Sequence, residues 1–297
     1  MLSGGATAAV LAALCNVGDG RIAAMDAAGI DMQVMSLTSP GTEQLAAPEA
    51  VELARHSNDF LAAAVHRHPD RFAGFAALPT ADPAAAADEL TRTVEEHGFR
   101  GALIHGHVRG RYLDDPFFAP ILERAQALAV PIYLHPTPPP QPVIDASYKG
   151  FSPVVDGLLA GPAWGWHIET ALHVIRLILG GVFDRLPRLQ VVVGHMGEGL
   201  PFMLQRLDLV LSTARTGLAR PVAAYLRENV HYTFAGFNFT SLFLNLLLEV
   251  GAERILFSAD HPYNSMAQAR AFLDRLPASA ADKERIAHGN AEHLLGL

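Results

Sequence analysis

Short apolar runs in this chain end three times on a group able to hold a cation or move a proton: His135 in Tyr-Leu-His-Pro, His195 in Val-Gly-His-Met-Gly-Glu, and Asp260 in Phe-Ser-Ala-Asp-His-Pro. Neutral imidazole nitrogen and carboxylate oxygen suit Zn²⁺, Mn²⁺ or Fe²⁺. The single cysteine, Cys15, excludes an internal disulfide and a thiolate cluster. Any metal must therefore rest on His and carboxylate donors, and a cytoplasmic setting suits the chain. One such histidine alone is most simply a hydrogen-bonded core residue. Polar groups at the ends of three separate apolar runs point instead to one shared site.

Around these residues the local sequence adds detail. In Gly194-His195-Met196-Gly197-Glu198-Gly199-Leu200-Pro201-Phe202 the glycines allow sharp turns and close approach of a ligand. His195 and Glu198 are expected to open a helix whose N-terminus favours anions. Arg206, further along that helix, either holds a substrate carboxylate or anchors the helix through Asp208. His105 and His107 flank Gly106 and either touch substrate or shape the loop that runs on through Arg109 and Arg111. Glu169 and His173 share a helix face, a spacing that suits metal ligands but more simply suits helix packing.

The elements that must bring these residues together are strands alternating with helices. Apolar, β-branched runs at Met32–Leu37, Phe72–Leu78, Gly101–His105, Pro131–His135, Gln190–His195, His231–Ala235 and Ile255–Asp260 read as parallel strands, each followed by helical periodicity. Asp82-Pro83 and Asp115-Pro116 mark helix starts, Gly98 and Gly251 mark helix ends, and Pro136 to Trp166 reads as an extended loop. In a parallel (β/α)8 barrel all C-terminal strand ends meet at one mouth, so His135, His195 and Asp260 converge there. A closed barrel needs eight strands and only seven runs are found. Ala6–Val17 and Arg21–Gly29 read as helices, so the expected fold is an α/β TIM barrel of the metal-dependent hydrolase type lacking its first strand. Residues 1–297 then form one N-terminally incomplete domain.

Half of the chain is apolar and its formal net charge is -8, with no basic stripe for phosphates. Nucleic acid is not an expected partner. No apolar stretch is long enough to span a bilayer, so no membrane partner is expected either. A small-molecule partner is expected, and self-association into a homo-oligomer stays open.

With these residues in place, the chain resembles the amidohydrolase-related family (amidohydrolase family 2) that includes γ-resorcylate, 2,3-dihydroxybenzoate and aminocarboxymuconate semialdehyde decarboxylases. The resemblance is carried by Met25–Pro40, Tyr133–Pro136, Trp164–Arg176, Gly194–Phe202 and Ile255–Pro262. It implies that His135 and Asp260 bind a divalent metal, Zn or Mn, and that His195 and Glu198 border an aromatic carboxylate substrate and assist proton transfer. The family's first-strand Glu-x-His metal pair has no counterpart before Arg21. The expected activity is non-oxidative decarboxylation of a hydroxylated aromatic acid, with Asp260 protonating the ring. Hydrolysis by an amidohydrolase or lactonase would use the same residues, and a barrel short of part of its metal site would be catalytically impaired.

Overall fold

The computed structural model describes residues 4–297. Its strands are β1 (Gln33–Met35), β2 (Phe72–Gly74), β3 (Ala76–Ala77), β4 (Ala102–His105), β5 (Ile132–His135), β6 (Val191–Val193), β7 (Val230–Thr233) and β8 (Ile255–Leu256). All the ladders are parallel, in one sheet of order β1-β2 and a second of order β3-β4-β5-β6-β7-β8. The run Phe72–Leu78, expected as one strand, is split at Phe75 because the backbone changes partner there. The Phe75 amide donates to Met35 O of β1, whereas the Ala76 amide donates to Gly101 O at the foot of β4. The wall therefore has the seven expected positions in two panels.

Among the described residues no strand joins β1 to β8. Side chains span that seam instead: Arg270 Nη1 donates to Gly29 O at 2.9 Å, Gln33 Nε2 approaches Met266 Sδ, and the Thr38 and Tyr263 hydroxyls lie 3.0 Å apart. The helices before β1 are α1 (Gly4–Cys15) and α2 (Asp19–Ala28), the latter ended by Gly29 at φ 67°. The buried Arg21 guanidinium ties them together, with Nε donating to Asn16 O at 2.6 Å and Nη2 to Ala13 O at 2.8 Å. These bonds satisfy carbonyls at the end of α1 that no helical amide reaches.

The outer layer continues with α3 (Ala47–Arg67), α4 (Pro83–His97) and α5 (Ala119–Ala127). Asp82 caps α4 through a 3.2 Å bond from the Ala85 amide, and Gly98 closes it at φ 68°. Leu90, Ile121, Leu122 and Ala125 are buried against the sheet, as their periodicity predicts. The segment after β5, expected as an extended loop, instead folds into α6 (Gln141–Ser147) and α7 (Pro153–Ala160), because prolines pre-set the first turns and Ser152 caps the second helix. Then come α8 (Gly165–Leu179), α9 (Val182–Arg185), α10 (Leu200–Val210), α11 (Thr213–Thr216), α12 (Val222–Glu228), α13 (Thr240–Val250) and α14 (Met266–Asp274). No single described helix is long and apolar enough to cross a membrane.

Tyr133 and Thr233 meet inside the barrel, hydroxyl to hydroxyl at 3.0 Å, with the Phe75 ring 6.2 Å from that of Tyr133. Asn58 of α3 secures the strand just after the split: Nδ2 donates to Ala77 O at 2.9 Å and Oδ1 accepts the Ala77 amide at 2.8 Å. Substituting Asn58→Leu leaves both Ala77 groups and Glu89 short of a buried partner. It is expected to lower unfolding stability by about 3 kcal/mol. Urea unfolding measures this, and an unchanged midpoint would show that Asn58 does not hold the panels together.

Candidate active site

The barrel mouth gathers an arc of imidazoles. His135 closes β5, and its ring lies edge-on to His105 at 5.0 Å and to His195 at 6.4 Å, centroid to centroid. His195 in turn meets His167 of α8 at 4.6 Å. His195 follows the end of β6 by two residues and Asp260 follows β8 by four, so neither terminates its strand as expected. In β8 the ladder stops because the Phe257 amide turns away to Ile286 O, and Asp260 sits beyond it at φ 58°.

Nor do His195 and Glu198 open the helix α10; His195 begins only a single 3-10 turn, His195–Gly197, that Glu198 closes. The helix α10 starts at Leu200, and the preceding turn carries His195, Met196 and Glu198 at φ 50°, 54° and 57°. Left-handed backbone at three non-glycine residues is unfavourable and persists only where surrounding contacts enforce it. The contacts are visible. Glu198 Oε1 lies 2.6 Å from His195 Nδ1 and Oε2 lies 2.6 Å from His167 Nδ1, all three groups being buried. Phe237 packs edge-on against both rings at 5.1 Å.

Burial alone would raise the Glu198 carboxyl. The charge on His195 and the hydrogen bonds from His167 and His195 outweigh it and hold Glu198 below the ordinary carboxylate range. Burial also opposes charge on His195, but the charge and hydrogen bond of Glu198, with Asp260 beyond, outweigh it and shift His195 upward. Asp260 is raised chiefly by burial, against the opposing effects of His195 and the 2.8 Å bond from Asn264 Nδ2 to its Oδ2. His195 and Asp260 thus act on each other, Asp260 favouring the charged imidazole and His195 favouring the carboxylate.

His135 has a different character. Burial, and after it His105 and His195, push it down to about 3, so the ring is neutral. Its Nδ1 stands 2.9 Å from Pro136 O, which only an N–H can satisfy. The Nε2 lone pair is left free for the mouth, the usual arrangement of a metal-binding histidine. With Asp260, His135 supplies the nitrogen and oxygen donors that Zn²⁺ or Mn²⁺ takes, and both residues fit such an ion. The donor atoms of His167, His195 and Glu198 also fall within 4.8 Å of one another. However, their 2.6 Å contacts are hydrogen-bond lengths, whereas two donors on one cation at about 2.1 Å stand roughly 3 Å apart. They form a hydrogen-bonded relay.

The remaining expected residues divide. His105 belongs to the mouth: its amide donates to Glu43 Oε1 at 2.8 Å, and its Nδ1 lies 3.5 Å from Glu43 Oε2. His107, expected at the substrate, has both ring nitrogens committed to the loop. Nδ1 accepts the Gly110 amide at 3.0 Å and Nε2 donates to Pro138 O at 3.2 Å. Arg206 is also corrected. It sits on the exposed face of α10 with no hydrogen-bond partner among the described residues, and Asp208 does not anchor it because Asp208 caps α12 through the Ala223 amide. Glu169 and His173 pack the α8 helix under the Tyr112 loop. Tyr112 Oη donates to Glu169, and His173 Nε2 accepts the Leu113 amide at 2.8 Å.

Sequence reasoning missed His167 and Glu43. His167 carried a signal: His167, Thr170, Val174 and Leu177 follow helical spacing, and two polar residues head that otherwise apolar stripe. Glu43 lies in irregular backbone and carried none. Gly41, at φ 66°, lies against it, and a Cβ there would collide with the Glu43 carboxylate and the His105 ring. Gly41→Ala is expected to lower stability by about 1–2 kcal/mol through the backbone alone and to displace His105 from His135. Thermal melting and metal titration read the two effects, and normal values for both would count against the contact.

The parallel wall with its donors at the C-terminal mouth defines a metal-dependent barrel enzyme, and the chain belongs to the amidohydrolase family, whose model matches residues 12–297. Over 295 residues it is 39% identical to a γ-resorcylate decarboxylase of Polaromonas sp. strain JS666, covering 96% of this chain and 89% of that protein. The Polaromonas dihydroxybenzoic acid decarboxylase structure, with bound manganese and the inhibitor 2-nitroresorcinol, superposes with a TM-score of 0.92 at 38% identity, covering 100% of this chain and 91% of that one. A Novosphingobium aromaticivorans 5-carboxyvanillate decarboxylase, complexed with manganese and 4-hydroxy-3-methoxy-5-nitrobenzoic acid, gives 0.90 at 36% identity over 97% of this chain and 82% of that one.

Proposed function

We propose that this protein is a divalent-metal-dependent, non-oxidative decarboxylase of an ortho-hydroxylated aromatic carboxylic acid. The observation that carries the proposal is the pairing, in one mouth, of a tautomer-fixed His135 and Asp260 with a proton relay through His195 and Glu198. Relatives named for this reaction, two of them with manganese in their structures, support it. His135 Nε2 and the Asp260 carboxylate would hold the metal. A bound divalent cation supplies Lewis-acid polarisation of the substrate carboxylate and its ortho oxygen.

The chain's own residues do the rest. Asp260 delivers a proton to the ring carbon that bears the carboxylate, while Asn264 holds its other oxygen. The bond to the carboxylate carbon then breaks, its electron pair returns to the ring, and carbon dioxide leaves. His195 returns a proton to Asp260, and Glu198 stabilises the imidazolium that this requires. His105 and Phe237 wall the mouth, giving an aromatic ring flat surfaces to pack on.

The test is carbon dioxide release from a panel of dihydroxybenzoates and carboxyvanillate by metal-stripped protein before and after addition of Mn²⁺ or Zn²⁺. Metal-restored release is expected. Hydrolysis of amide or lactone probes without any carbon dioxide would assign the site to hydrolase chemistry instead. A homo-oligomer belongs to the same proposal, because Phe202, Leu209 and Leu248 expose large apolar side chains on α10 and α13. Light scattering that returns a monomer mass would remove that part.

A further inference from the structure

Glu198 has two imidazole partners, and proton relay to the mouth uses only one of them, His195. The second, His167, points its Nε2 away from Glu198, where that atom meets two groups of opposite demand. The Trp166 indole Nε1 lies 3.0 Å away and can only donate, while Pro162 O lies 3.0 Å away and can only accept. When Nε2 accepts from Trp166, the one ring proton of neutral His167 must be on Nδ1, and it is donated to Glu198 Oε2. The carboxylate then has its second oxygen satisfied by His167, and its first is left to face His195.

We propose that His167 is a positioning residue: with its Nε2 held between the Trp166 indole N–H and Pro162 O, it donates Nδ1–H to Glu198 Oε2 and pins that carboxylate so that His195 keeps a proton on Nδ1 and presents Nε2 to the mouth. The inference rests on the decarboxylase assignment for its kinetic readout only. Phe237, edge-on to both rings at 5.1 Å, keeps the assembly from rotating.

The experiment compares His167→Phe, which keeps a flat ring and removes the donor, with His167→Asn, whose Nδ2 falls near the original Nδ1. In His167→Phe, kcat is expected to fall about 10- to 100-fold with KM little changed, and His167→Asn is expected to recover most of the loss. In parallel, ¹⁵N-histidine NMR of the substrate-free protein reads the His195 tautomer, its signal being assigned by its absence in His195→Gln. Protonated Nδ1 is expected in the wild type and in His167→Asn, and a mixed state in His167→Phe. Because the NMR needs no turnover, it judges His167 even if no acid on the panel is decarboxylated. Trp166→Phe removes the indole N–H together with part of the ring, so its thermal stability is measured alongside, and it is expected to lower kcat about 10-fold. An unchanged His195 tautomer in both His167→Phe and Trp166→Phe would overturn the proposal. So would equal damage from His167→Phe and His167→Asn.

Discussion

Replacing Asp260 by asparagine is expected to reduce carbon dioxide release about 10³-fold or more while leaving the fold intact. The amide is nearly isosteric, and its oxygen can still accept the 2.8 Å bond from Asn264, so thermal stability should change little. Chemistry changes at two points. An amide has no proton to give at neutral pH, and loss of a general acid alone is worth about 10²–10⁴-fold. It is also a poorer donor to a divalent ion than a carboxylate, so metal content should fall with activity. Burial shifts the Asp260 carboxyl upward from its ordinary value, and the substitution removes this titrating group altogether. Measuring turnover and bound metal on the same preparation separates the two effects. Near wild-type turnover would remove Asp260 from the reaction.

Glu198→Gln is expected to have the other large effect, on stability as well as rate. The carboxylate is buried between two imidazoles, and breaking such a pair costs about 3–5 kcal/mol because the partner charge is left without compensation. The pH dependence follows from the two directions of shift. Glu198 is held below its ordinary value, so its contribution is present above the unfolded carboxyl value and is lost as pH falls through the lower folded one. His195 is raised, so its contribution is full below the unfolded imidazole value and is lost as pH rises through the higher folded one. Both are in force together between about pH 4.5 and 6.5, bounded by the ordinary carboxyl and imidazole values. The difference in unfolding free energy between wild type and Glu198→Gln should be greatest in that window. A difference that does not vary with pH would mean that the pair is not ionised in the folded protein.

The wall was legible because parallel strands buried on both faces leave continuous apolar runs, and each run from Met32–Leu37 to Ile255–Asp260 overlaps an observed strand, β7 starting one residue ahead of its run. Their ends were less legible. Periodicity cannot show where a ladder stops, and the Phe257 amide leaves β7's side for Ile286 O, a contact set by a distant turn. The split at Phe75 was hidden for the same reason, since changing partner from β1 to β4 alters no side-chain pattern. At the site, His135, His195 and Asp260 stood out because each interrupts apolar sequence. Arg206 stood out as a charge on a helix near the motif, but charge says nothing about which face it occupies, and it turns to solvent. Glu43 reaches His105 across 62 positions of sequence from an irregular loop, beyond any local rule.

The change of partner at Phe75 gives the barrel a hinged leaf. β1 and β2 form a ladder only with each other, joined to the larger panel by the Arg100 amide on Gly74 O, while β3 through β8 form a continuous ladder, so the smaller panel has fewer backbone bonds holding it. Its catch is the segment after β1, where Thr42 Oγ1 bonds Leu78 O and Glu43 bonds the His105 amide. Amide hydrogens of Gln33 and Phe75, which bond across this panel to Arg71 O and Met35 O, should therefore exchange with solvent deuterium through partial opening, ahead of those of Leu134 and Val192, which wait for global unfolding. Because the catch closes on His105, an opening of the leaf would also release one side of the mouth, tying the order of the imidazole arc to the pairing of two short strands.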